Sequence, residues 1–194
     1  MIMEVLEMEG EMEGFVNIDE VDFNDERTVL KAALENELKG RKLYTQYSNT
    51  VKNDMAKKLF VQLANEELTH IADIEKFLKA LVGFGEIDVE NMTSEDSIKH
   101  AKEIFGKLVK DVEGRIGPSD DDNESRDVAM QFEKNGYEYY RKGADATKNE
   151  KLKKFLTWLM EQEQAHYIFI QNAFEYMNNP ESWYAGEEHW LLEG

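Results

Sequence analysis

Leu63-Ala64-Asn65-Glu66-Glu67-Leu68-Thr69-His70 is the stretch on which the fold turns. Glu67 and His70 are three residues apart, a spacing that puts both side chains on one face of an α-helix. Phe60, Leu63, Ile74, Phe77, Leu78 and Leu81 surround them at helical spacing. The carboxylate and the imidazole therefore fall inside the apolar stripe, where an unpaired charge costs several kcal/mol and needs a partner. Glu66, one position back, is expected to point away from this face as a solvated acid.

The pattern recurs in Met160-Glu161-Gln162-Glu163-Gln164-Ala165-His166, where Glu163 and His166 lie in a stripe of Leu156, Leu159, Ile170, Ala173, Phe174 and Met177. The two copies are offset by 96 residues, the difference between Glu67 and Glu163 and between His70 and His166. Ala33 and Ala129, Glu37 and Glu133, Gly40 and Gly136, and Tyr44 and Tyr140 keep the same offset without a gap, as do Lys52-Asn53 and Lys148-Asn149. The chain thus repeats a helical hairpin.

Working outward, helices are expected over about 25–51 and 55–82 in the first copy and about 121–147 and 150–178 in the second. The first has Leu30, Ala33, Leu34, Glu37, Gly40, Tyr44 and Val51 inward. The third has Ala129, Met130, Glu133, Gly136, Tyr137 and Tyr140 inward. Asn24 or Asp25 suits the first N-cap, and Gly83 with Gly85 suits the end of the second helix. Glu37 and Glu67 lie equally far from the bend at residue 52, as Glu133 and Glu163 do from residue 148. In an antiparallel hairpin each pair comes level, roughly 22 Å from its turn at about 1.5 Å per residue.

The expected fold is all-α: a four-helix bundle over residues 25–178. It is made of two repeated hairpins joined by a long crossover at 83–123, a known bundle topology. An extra helix is expected in the crossover from Thr93-Ser94-Glu95 to about 114, with Ile98, Ala101, Ile104, Phe105, Leu108 and Val112 along one stripe. Residues 1–24 read as an acidic arm, ordered only where it packs on the body or a partner. Residues 179–194, with Trp183, Tyr184 and Trp190, read as an aromatic tail that docks on the body or on another subunit.

Composition narrows the function. The 194 residues include no cysteine, which excludes disulfides, zinc ribbons and cysteine-ligated iron–sulfur clusters. A net charge of −18 argues against nucleic acid and anionic membranes as partners. The absence of an 18-residue apolar run and the acidic N-terminus point to neither a membrane span nor a signal peptide, so a cytoplasmic protein is expected.

Glu37, Glu67, His70, Glu133, Glu163 and His166 are the candidate metal ligands. Four glutamates at −4 balance two divalent cations at +4 with both histidines neutral, which lets such a set be buried. One Glu from each of two helices and a Glu-x-x-His from each of the other two is the ligand set of di-iron and di-manganese carboxylate bundles. Oxygen donors with one imidazole per ion suit two iron ions, with manganese or a mixed pair as the alternative. By pseudo-symmetry Glu37 and His70 serve one ion, Glu133 and His166 the other, and Glu67 and Glu163 bridge. Tyr44 and Tyr140, two turns beyond Glu37 and Glu133, are core aromatics or hydrogen-bond partners of a ligand. Gly40 and Gly136 either let helices approach or leave room beside the ions. His100 and His189 fall outside the pattern.

These motifs resemble the rubrerythrin family of the ferritin-like superfamily, over roughly 25–82 and 121–178. The resemblance implies a non-haem di-iron oxidoreductase, a peroxidase or ferroxidase that acts on peroxide or dioxygen. It also implies a homodimer, with hairpin swapping compatible with the long crossover. The chain departs in two places. Many members carry another carboxylate one turn after the Glu133 position, where this chain has Gly136. No rubredoxin-type domain is present, so an external electron donor is required. The symmetric ligand set is closer to that of bacterioferritin. Alternative expectations are iron storage or detoxification in a cage, which a dimer-sized solution mass would remove; a bundle in which structural metal supports partner binding; and manganese catalase chemistry.

Overall fold

The computed structural model describes residues 15–92, 94–111 and 117–181. Five α-helices follow a short 3-10 turn at Ile18–Glu20: α1 Glu26–Thr50, α2 Asp54–Leu81, α3 Ser94–Asp111, α4 Asp120–Ala146 and α5 Glu150–Asn178. There is no strand among the described residues. The molecule is a ferritin-like helical bundle, and the ends of α1, α2, α4 and α5 fall within one residue of those read from the sequence. None of the described helices is long and apolar enough to cross a membrane.

Side-chain caps set the boundaries. Asp25 accepts from the Arg27 amide at the start of α1. Asn53 accepts from Met55 N and Ala56 N, and Asn149, its counterpart 96 residues on, accepts from Lys151 N and Leu152 N. These bonds satisfy amides that a helix start leaves without intrahelical partners. Ser119 and Asp122 form a reciprocal capping box at the start of α4. At the end of α2, Gly83 has φ +82°, and the amides of Gly83 and Phe84 return to Ala80 O and Lys79 O.

α1 packs along α2 and α4 along α5, and the hairpins join through α2 against α5 and α1 against α4. The amide of Lys52, just after α1, donates to Asp122 at the start of α4 (2.7 Å), while Tyr139 near the end of α4 donates to Val29 O at the start of α1 (2.6 Å). The two helices are therefore antiparallel. The crossover consequently runs the length of the bundle, with α3 lying against α5 and α2.

The apolar interior falls into two clusters. One holds Tyr44, Phe60, Leu63, Phe105, Phe169 and Phe174; the other holds Leu30, Ile74, Phe77, Tyr140, Phe155 and Leu159. The α4 stripe differs from expectation at one position. Tyr139, not Tyr137, is fully buried, and Tyr137 is half-buried. The reason lies before α1: Phe15 and Phe23 pack on Tyr139, at 6.0 and 5.5 Å between ring centres. Residues 15–24 cover a flank of α4 that the helical period alone assigns to solvent, and Asn36 holds them by accepting from Val16 N (2.9 Å). In α3, Phe105 and Leu108 are buried as expected. The side chains of Ile98 and His100, the stretch 112–116, the first fourteen residues and the tail from 182, which includes His189, lie outside the described residues.

Candidate metal centre

Each of the six predicted ligands is on a core-facing helix position, and none is more than 3 % exposed. Glu37 comes from α1, Glu67 and His70 from α2, Glu133 from α4, and Glu163 and His166 from α5. They form two overlapping groups: Glu37, Glu67, His70 and Glu163, and Glu67, Glu133, Glu163 and His166. Within each group one donor atom per residue lies within 4.8 Å of the others, close enough to hold a metal ion. Glu67 and Glu163 belong to both groups.

His70 Nδ1 lies 3.2 Å from Glu37 Oε2 and 3.3 Å from Glu67 Oε2. His166 Nδ1 lies 3.5 Å from Glu133 Oε2 and 3.6 Å from Glu67 Oε1. The two imidazoles stack, 5.4 Å between centres and 21° between planes. Both carboxylate oxygens of Glu67, Glu133 Oε2, Glu163 Oε1 and His166 Nδ1 are buried without a hydrogen-bond partner. Unsatisfied acceptors this deep cost about 1–3 kcal/mol each. Their convergence in one small volume fits a cationic occupant, because a divalent ion satisfies several carboxylate oxygens at once.

The electrostatics of the bare cluster agree. Burial pushes the Glu67 carboxyl well above its usual range, reinforced by the charges of Glu37, Glu163 and Glu133. Burial likewise raises Glu163, together with the charges of Glu133 and Glu37. Burial also works against ionisation of Glu37, but the neighbouring Glu67 carboxyl, His70 and Tyr140 outweigh it and hold Glu37 at about 2. His166 is likewise opposed by burial, yet Glu133 and Glu66 raise it to about 10. The raised carboxyls of Glu67 and Glu163 favour their protonated forms, and a cation bound there would displace those protons.

Tyr44 and Tyr140 are both buried packing residues and hydrogen-bond donors. Tyr44 donates to Glu133 Oε1 and Tyr140 to Glu37 Oε1, each reaching across the α1–α4 seam to the other hairpin. Burial and the surrounding carboxylates push both phenols well above their ordinary range, so both remain protonated donors.

The two glycines serve different close approaches. A Cβ on Gly136 would stand 2.6 Å from Glu163 Oε2, whereas one on Gly40 would meet Phe132 Cε1 at 2.9 Å and Glu67 Cδ at 3.5 Å. Gly136 therefore makes room for a candidate bridging carboxylate, and Gly40 makes room mainly for Phe132.

Glu66 corrects the sequence reading. It is not a solvated acid: its side chain is 22 % exposed and its Oε2 lies 2.8 Å from His166 Nε2. Burial disfavours its charge, but the bond and charge of His166 dominate and hold its carboxyl at about 2. Glu66 sits on the flank of α2 that meets α5, so a residue one step off the central stripe faces a seam between helices. The signal available in the sequence was the place where the repeat breaks, since the position 96 residues later is Gln162.

A family model described as Rubrerythrin matches residues 28–174. No curated protein and no solved structure matches the chain.

Proposed function

The chain belongs to the rubrerythrin family, and from that premise we propose that it is a non-haem di-iron oxidoreductase reducing peroxide, or dioxygen, with electrons from an external donor. The convergence of unsatisfied buried donors on Glu67, Glu133, Glu163 and His166 carries this reading. Glu37 and His70 would hold one iron, Glu133 and His166 the other, with Glu67 and Glu163 spanning both. Iron bound there supplies two one-electron couples, enough for the two-electron reduction of a peroxide to water.

The chain's own residues have distinct tasks. Tyr44 and Tyr140 fix one oxygen of Glu133 and of Glu37 and leave the other oxygen of each toward the centre. Their raised phenol pKa keeps these protons in place at neutral pH. The apolar clusters on either side restrict water, which strengthens electrostatic interactions in the centre. None of the 194 residues is a cysteine able to ligate an iron–sulfur relay, and the proposed reaction accordingly takes its electrons from an external donor.

The test is anaerobic loading with Fe(II), followed by hydrogen peroxide and a chemical reductant. Sustained peroxide consumption is expected, abolished in Glu67→Ala/Glu163→Ala. Consumption no faster than that of the metal-free protein would remove the proposal.

A further inference from the structure

The repeat relates the two hairpins residue by residue, so departures from it around the centre are informative. On one side Gln62 Nε2 donates to Glu66 Oε1 (2.6 Å), and Glu66 Oε2 lies 2.8 Å from His166 Nε2. In the neutral ring that metal ligation requires, this arrangement places the proton on Nε2 and leaves Nδ1 as a lone-pair donor facing Glu133 and Glu67. The positions 96 residues after Gln62 and Glu66 are Trp158 and Gln162. Trp158 stands edge-on to His70, 5.6 Å between ring centres and 82° between planes. One imidazole is thus backed by an anion with its own amide brace. The residues at the equivalent positions beside the other are an indole and a neutral amide.

We propose that the two metal positions are inequivalent, and that Glu66, acting through His166, makes the His166 position the tighter one, filled first. This rests on the dimetal reading above. The physical grounds are the orientation of a ligand and its basicity. A carboxylate bonded to the far nitrogen of a ligating histidine fixes the tautomer, stops the ring turning and raises the donor strength of the near nitrogen. Loss of such a partner typically costs 10–100-fold in metal affinity. Glu66 is also hydrogen-bonded to the ligand of one position, so its negative charge is held directly against that histidine. Neither effect changes the six donors, so an account that stops at the ligands predicts two equal sites.

The experiment is a calorimetric and absorption titration of the metal-free protein with Co(II), combined with anomalous diffraction from crystals given one equivalent. The wild type is expected to take two ions in two resolved steps, with the first equivalent at the His166 position. Glu66→Gln should weaken the first step roughly 10–100-fold and leave the second nearly unchanged. Gln162→Glu should tighten the second step, and it decides the matter if Glu66→Gln does not fold. Two indistinguishable wild-type steps, one equivalent shared evenly between the positions, or folded variants that leave both steps unchanged would overturn the inequivalence alone. No binding of Co(II) by the wild type would remove the dimetal reading and this inference with it.

Discussion

At the scale of single residues, the centre depends on space as much as on donors. Gly136 sits within a helix, where glycine costs about 1 kcal/mol relative to alanine. Its missing Cβ leaves the place beside Glu163 Oε2 open. Gly136→Ala should therefore keep or raise the melting temperature of the metal-free protein while lowering metal affinity at least tenfold, because Glu163 has to move. Gly40→Ala, whose Cβ meets the edge of Phe132, should lower metal affinity less. Equal affinities in the two variants would contradict this assignment of space. The convergence of the six candidate ligands was legible in the sequence because a carboxylate and an imidazole stand out in an apolar stripe, and because the pattern occurs twice. Glu66 was not, since helical period sorts residues into inside and outside and has no category for the seam between two helices. The partners of Tyr44 and Tyr140 were hidden for a related reason. Each bonds across to the opposite hairpin, and the spacing within a hairpin does not report such a contact.

Among the secondary-structure elements, the caps carry local information that periodicity lacks. Asn53 and Asn149 repeat at the same offset as the ligands, so the turn of each hairpin is specified along with the level of its glutamates. Asp122 is the element-scale residue with the widest reach. It accepts from Ser119 N in its own capping box (2.8 Å) and from Lys52 N at the end of α1 (2.7 Å), pinning the two hairpins together. Burial tends to raise its pKa, but these amide bonds outweigh burial and lower it below 3.8. A carboxylate whose folded pKa lies below its unfolded value contributes stability that is complete above the unfolded value and fades as pH falls through the folded one. Asp122→Asn should therefore cost about 0.5–2 kcal/mol at pH 7, with the difference from wild type shrinking as pH drops below 3.8. Chemical denaturation across that range checks it, and a difference independent of pH would refute the role given to the charge. The buried Tyr139 shows why the α4 face was partly misread: Phe15 and Phe23 lie outside the repeat and cover it from a segment with no helical period.

For the whole molecule, the repeated hairpin with its carboxylates inside an apolar stripe was enough to read the bundle. The direction of the crossover followed only from contacts at both ends of α1 and α4. The central claim is that Glu37, Glu67, His70, Glu133, Glu163 and His166 together grip a pair of cations between two apolar clusters. Metal content per chain, measured on protein purified without added metal and reconstituted with Fe(II), combined with an anomalous difference map, tests this most directly. Two ions per chain are expected after reconstitution, with both peaks between Glu67 and Glu163. Fewer than two ions, or peaks away from these six side chains, would contradict it.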